Sequence, residues 1–407
     1  MERERKRLVL IDAHAILHRA YHALPEFSNS RGEPTGGLYG LAAMLIKIIA
    51  DLKPDYLAAA YDLPKPTFRH TAYKDYKAGR AKTDDALVAQ MKRSREVFEV
   101  FAIPMYDKEG FEADDILGTI VEQVTDSDIV IASGDMDTLQ LVDGKRVQVY
   151  TLKRGINDII LYDEEKVKER YGFGPGLLPD FKGLKGDPSD NIKGIKGIGD
   201  KTATELIQKF GSVEEIYKKL KKDKKAFEKA GIKPRVIGLL ETGKEDAEFS
   251  KILGTIRRDA PIEFALPDLP WRESVDIAKA ENLFGELEFR NLGQRLRDAI
   301  GGIEKIQETR NEIQERKPIN KELAVALWLI NSNLTSPTAD DIFNFTETKD
   351  TGLARAKIFA ELNTRRLTRV FEEIEKPLIP VVEKMNERGV AIDVKYLTGL
   401  SLEYHKE

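Results

Sequence analysis

Cysteine is absent from the 407 residues, which excludes disulfides, thiolate metal ligands and cysteine nucleophiles. No apolar run approaches the roughly 18 to 20 residues that a bilayer crossing needs, so no membrane partner is expected. A surplus of positive charge is missing too: 65 Lys and Arg stand against 69 Asp and Glu, a formal net charge of −4. The average composition therefore does not advertise a polyanionic partner. The start, Met1-Glu2-Arg3-Glu4-Arg5-Lys6-Arg7, is charged and runs straight into a strand-like segment, unlike a signal peptide. A cytoplasmic address is the expectation.

With 33% charged and 41% hydrophobic residues, the chain has the composition of a soluble globular protein, long enough for two or three domains. Lys and Arg cluster in 65–95, 182–201 and 218–235, while acids gather at a few strand ends. A basic rim around an acidic centre suits phosphate and cation binding together.

Arg7 to Asp12, Tyr56 to Tyr61, Asp128 to Ser133 and Arg146 to Leu152 read as strands. Ala15 to Ala23, Leu38 to Leu52 and Ile116 to Val124 read as helices between them. This alternation predicts an α/β fold with a mostly parallel sheet covered on both faces. Residues 1–175 would form that core, and 176–300 a smaller helical subdomain ending in a helix near 275–285. Gly301-Gly302 marks a boundary, 301–320 a charged linker, and 321–407 a helical region with amphipathic segments at Leu323 to Asn331 and Thr364 to Arg388.

Asp12 ends the first strand, Asp62 the second, and Asp135 and Asp137 follow the third. The carboxyl ends of parallel strands line one crevice, where ligands bind. Glu112, Asp114 and Asp115 open a helix, and Asp187 and Asp190 stand three residues apart at what reads as another helix start, a spacing that can aim both carboxylates one way. Acids cap helices, but three within four residues exceed what capping needs. If these nine carboxylates converge they cannot all stay ionised without cations. An all-oxygen set favours Mg²⁺ or Mn²⁺, and two such ions can hold the attacking and leaving oxygens of a phosphodiester. The histidines His14, His18, His22 and His70 show no triad pattern and read as ordinary helix or surface residues.

Between the second strand and Glu112 lie Lys65 to His70 and Tyr73 to Arg80, in which cations and aromatic rings interleave. Such a segment suits single-stranded nucleic acid, and Lys77 and Arg80, one helical turn apart, would neutralise charge on a scissile phosphate. Gly194 to Ala203, with Lys193, Lys196 and Lys201 around it, fits a turn that grips a duplex through its backbone.

These motifs together resemble the 5′ nuclease domain of bacterial DNA polymerase I, a relative of the flap endonucleases, over about residues 6–295. Leu10-Ile11-Asp12, Arg19 to Leu24, Ser30 to Pro34, Phe68-Arg69-His70, Tyr76-Lys77-Ala78, Glu112 to Asp115, Ser133 to Asp137 and Gly186 to Ile192 carry the likeness. The resemblance implies a PIN-like, flap-endonuclease fold with a helical arch at about 65–95 and a helix-hairpin-helix subdomain. It places Asp12, Asp62, Glu112, Asp114, Asp115, Asp135, Asp137, Asp187 and Asp190 in the metal site, with Lys77 and Arg80 in the arch. DNA contacts would come from Arg19, Arg69, Lys74, Tyr76, Lys193, Gly194, Lys196, Gly197, Gly199, Lys201 and Thr202, and K⁺ can sit at the hairpin carbonyls. The implied substrate is DNA bearing a 5′ flap, a nick or an RNA primer, cut during primer removal and repair. Lys193 and Lys196 stand where the family has proline, and the proline-rich run after Arg80 is replaced by Ala81-Lys82-Thr83-Asp84-Asp85. Residues 368–402 resemble the opening helices of a family A polymerase, with no palm or fingers motif. The chain would then be a fragment, a truncated product, or one half of a split polymerase whose other half is encoded separately. The alternative function is a non-catalytic DNA-binding half.

Overall fold

The computed structural model describes residues 5–25, 27–80, 82–154, 158–289, 291–301, 321–331, 337, 339–346, 348 and 350–388. The expected linker at Ile303 to Lys317 and the polymerase-like Gly389, Val390 and Asp393 lie outside them. The chain divides into two compact units, 1–302 and 303–407.

In the first unit, β1 (Arg7–Asp12), β2 (Tyr56–Ala60), β3 (Met105–Tyr106), β4 (Asp128–Ala132), β5 (Val147–Arg154) and β6 (Asp158–Tyr162) form one sheet. Its order is β3-β2-β1-β4-β5-β6, parallel except that β6 returns antiparallel to β5. The expected strands are all present. Two went unforeseen: β3 is two residues long and carries no periodic signal, and β6 forms an antiparallel edge.

Alternate residues of β1 face opposite sides, as the pleat requires. Leu8 and Leu10 join a core with Ile116, Leu117 and Ile120 of the helix α5 (Ala113–Gln123). Val9 and Ile11 join another with α1 (Ala13–Ala23), α2 (Gly36–Leu52) and α4 (Asp85–Val100). Being buried on both faces explains the uninterrupted apolar run in β1.

The expected split at 175/176 does not divide the core. The first cluster runs without interruption from Leu8 through Leu184, Ala203 and Ile216 to Ala260. It takes in α7 (Leu178–Lys185), α8 (Asp200–Phe210), α9 (Val213–Lys222), α11 (Pro234–Thr242) and α12 (Lys244–Gly254), which follow α6 (Glu164–Tyr171) and include the short α10 (Lys224–Lys229). The chain then crosses over: Trp271, Leu283, Phe284, Leu292 and Leu296 pack on the opposite, α2 face. Trp271 donates from its indole to Phe101 O at 2.6 Å, and Ser30 N bonds Glu288 at 3.1 Å. Residues 271–289 and 291–301 therefore pack into the sheet's second core.

The second unit contains helices Lys321–Ile330, Ala339–Thr346, Thr351–Thr364 and Lys376–Arg388. Leu323, Leu327, Ile358, Leu362 and Phe371 form its core. The expected single helix from Thr364 to Arg388 is interrupted, with Arg366 at φ +58° and a π turn at Phe371–Glu375.

Candidate metal centre

Three parallel strands deliver their acids to one edge. Asp12 closes β1 and caps α1, accepting from Ala15 N at 3.0 Å, while Ser133 Oγ donates to its other oxygen at 2.8 Å. Asp62 follows β2 and accepts from Ala113 N at 2.8 Å. Asp135 follows β4, and its amide donates to the same Ser133 hydroxyl at 2.9 Å. Ser133 thereby ties the ends of β1 and β4 together. Glu112 and Asp114 arrive from the start of α5. Asp12, Asp62, Glu112, Asp114 and Asp135 line one cavity of about 710 Å³, with Lys77 and Arg80 on its wall.

Asp137, Asp187 and Asp190 form a neighbouring group, each offering an oxygen within 4.8 Å of the others. Lys182, from α7, reaches Asp187 at 2.6 Å and also donates to Asp137.

Burial and like charge dominate the electrostatics. Burial, then Asp62 and Asp135, push Asp12 up to about 6 against the Ala15 amide. Burial and the charges of Asp135, Asp12, Asp137 and Asp62 hold Asp114 well above the ordinary carboxylate value. Burial and Asp135 raise Asp137 to about 6 although Lys182 opposes them. For Asp62 the burial effect is outweighed by His14, the Ala113 amide and Lys77, which bring it below its usual value. Asp187 is likewise drawn down to about 2 against burial, by Lys182 and Ser189.

A pH dependence follows. A carboxyl whose folded value is raised takes up a proton on folding, so Asp12 and Asp137 destabilise the fold above about pH 6 and cease to do so as pH falls toward the ordinary value of 3.8. The opposite contribution of Asp187 is lost only as pH falls from 3.8 through about 2. Thermal unfolding in EDTA should therefore give a higher Tm at about pH 5 than at about pH 7.5. A lower Tm at the acid end would contradict the geometry.

The structure corrects several expected roles. Asp115 is fully buried, and its four acceptor positions are taken: Arg69 donates at 2.7 and 2.8 Å, Glu112 N at 3.0 Å and Arg257 N at 2.9 Å. It anchors Arg69 and has no free lone pair for a metal. Arg69 itself is buried, so it cannot meet DNA. Tyr76 is also buried, with its hydroxyl against Glu112 and Asp190 at 3.1 and 3.0 Å, so its ring is not a base platform. Gly194 is packed against Gly186, where a Cβ would lie 2.1 Å from the Gly186 nitrogen; it shapes the turn from within.

Lys77 and Arg80 sit on turns after α3 (Phe68–Ala72), not on a helix, and Lys77 has φ +58°. Lys77 Nζ pairs with Glu112 at 2.8 Å and Arg80 with Asp190 at 2.5 Å. Lys74, Lys193, Lys196, Gly197, Gly199 and Lys201 are exposed, and Arg19 and Thr202 are half-buried. Fourteen residues separate α7 from α8, so the turn is a long loop and not a tight hairpin.

Sequence reasoning passed over two residues. His14 Nδ1 lies 3.2 Å from Asp62 Oδ2, a neighbour its place two residues after Asp12 foreshadows. Lys182 opens the basic cluster 182–201, but nothing local names its partners, which the fold brings to it.

The chain matches two family models: "5'-3' exonuclease, N-terminal resolvase-like domain" over residues 7–172 and "5'-3' exonuclease, C-terminal SAM fold" over 173–276. It is 40% identical over 297 residues to the DNA polymerase I of Bacillus subtilis (strain 168), covering 72% of this chain and 32% of that protein. Against the DNA polymerase I of Caldicellulosiruptor bescii it is 40% identical over 294 residues, 71% of this chain and 33% of the relative. The chain thus spans about a third of the length of these curated relatives. A crystal structure of the T5 D15 protein co-crystallised with metal ions shares the fold, with a TM-score of 0.50 and 18% identity over 72% of this chain and 100% of that one. Among the described residues, no helix is long and apolar enough to cross a membrane.

Proposed function

The chain belongs to the 5′-3′ exonuclease family, and on that premise we propose that it is a metal-dependent nuclease specific for DNA carrying a nick, a 5′ flap or an RNA primer. The observation that carries the reading is the meeting of carboxylates from the ends of β1, β2 and β4 in one cavity walled by Lys77 and Arg80. Its donors are oxygens, and Asp12, Asp114 and Asp137 are pushed toward protonation by burial and one another's charge. That is an environment fitted to divalent cations. Asp12, Asp62, Glu112, Asp114 and Asp135 would hold one, and Asp137, Asp187 and Asp190 another. Bound Mg²⁺ or Mn²⁺ would supply an acidified water and charge stabilisation at the phosphoryl oxygens.

The remaining work falls to the chain's own cations. Lys77 and Arg80 carry positive charge to the cavity wall, where a phosphate can replace their carboxylate partners. Lys193, Lys196 and Lys201 surround the exposed Gly197 and Gly199, so a duplex backbone can approach there. K⁺ binding at the carbonyls of that turn, and a role in primer removal and repair, belong to the same reading. A separately encoded polymerase half is the protein partner this reading implies, in keeping with the names of the relatives.

A labelled 5′-flap duplex incubated with Mg²⁺ or with EDTA tests the proposal. Cutting near the flap junction with Mg²⁺, and none with EDTA, is expected. Tight binding without cutting would instead identify a DNA-binding module. Lys196→Glu should weaken duplex binding equally for all sequences and reduce the slope of log K against log salt by about 1 to 2. Filter binding across a salt series measures it, and a changed sequence preference would contradict backbone-only contact.

A further inference from the structure

Lys182 is a cation built into an acidic site. It leaves the last turn of α7 and donates to Asp187 Oδ2 at 2.6 Å and to Asp137, with a side chain 12% exposed. Gly254 makes room for its stem: a Cβ there would stand 3.2 Å from both Lys182 Cβ and Cδ. Asp137 and Asp187 are two of the three acids in the second carboxylate group. A protein ammonium and a divalent ion would compete for the same oxygens.

We propose that Lys182 is a positioning residue that serves as an internal counter-ion, keeping Asp137 and Asp187 together in the metal-free protein and competing with the divalent cation for them. The inference rests on the metal-dependent reading above. Two carboxylates this close repel, and a paired ammonium offsets that repulsion until a divalent ion takes over. Lys182 therefore sets how readily the second group loads: it weakens the free protein's hold on the cation. A phosphate arriving in the site gives Nζ another anion to pair with and so frees the acids.

Mn²⁺ binding to the DNA-free full chain, followed by the free-ion electron paramagnetic resonance signal, provides the test. Lys182→Met should bind Mn²⁺ at the weaker site about tenfold more tightly than the wild type, a change of about 1.4 kcal/mol. Its Tm in EDTA should fall, and saturating Mn²⁺ should restore it. Lys182→Arg, which keeps the charge, should stay near the wild type in both measurements and guards against a folding defect in the methionine variant. If the wild type binds Mn²⁺ and Lys182→Met binds it equally or less tightly, the counter-ion inference is overturned. A loss confined to flap DNA affinity would likewise overturn it, making Lys182 a phosphate ligand. No Mn²⁺ binding by either protein would overturn the metal reading as well.

Discussion

Asp135→Ala should lower Mg²⁺-dependent cleavage of a 5′-flap duplex by about 10³-fold or more, roughly 4 kcal/mol of transition-state stabilisation, while flap binding changes little. Asp135 lines the cavity with Asp12, Asp62 and Asp114, and none of the exposed lysines of the 193–201 turn lines it. Its loss therefore strikes the chemistry and leaves the duplex grip in place. The side chain also accepts from Asp137 N at 2.9 Å, so alanine removes a local brace along with the charge. Asp135→Asn separates the two: it keeps an oxygen for the Asp137 amide and removes only the charge. Single-turnover cleavage and gel-shift binding on the same flap read out both variants. An asparagine variant that cuts at the wild-type rate would show that the Asp135 charge is not needed.

Arg69→Met should be the most destabilising substitution in this region. Arg69 is 3% exposed, and its guanidinium donates to both Asp115 oxygens, to Leu253 O at 2.9 Å and to Thr255 O at 2.9 Å. It thereby fastens α3 to the start of α5 and to the C-terminal end of α12. Removing it leaves the buried Asp115 carboxylate without a counter-charge, a loss of about 3–5 kcal/mol. In a unit of this size that lowers Tm by something on the order of 10 °C. Adding Asp115→Leu should recover part of the loss, because the orphaned charge then disappears. Differential scanning calorimetry on the two variants decides it. A single mutant melting within about 2 °C of the wild type would mean that the pair contributes little.

How much of this was legible beforehand depended on whether a role is local. The strand-end aspartates could be read because an apolar run ending in an acid fixes both the strand and the direction of its last side chain. Asp12 after Leu8 to Ile11 is such a case, and the parallel order of β1, β2 and β4 does the rest. Arg69, Tyr76 and Asp115 were misjudged for the converse reason. Their types suit DNA or metal, yet the fold buries them, and the partners responsible lie at Leu253, Thr255, Asp190 and Arg257. Lys182 belongs with them, since only tertiary structure sets it between Asp137 and Asp187. The sheet's second core was hidden too, because residues 271–301 show helical periodicity without showing which face they cover.

That return of residues 271–301 to the α2 face has a consequence for synthesis. As the chain emerges from a ribosome, β1, α1 and α2 appear first, yet the surface they bury stays open until Leu283, Leu292 and Leu296 have been made. The opposite core meets its last partners earlier, near Phe264 and Leu266. The nascent protein therefore carries a finished side and an unfinished apolar side for the time needed to add some thirty residues, a few seconds at ordinary elongation rates. Through that interval the α2 face is the one open to chaperones.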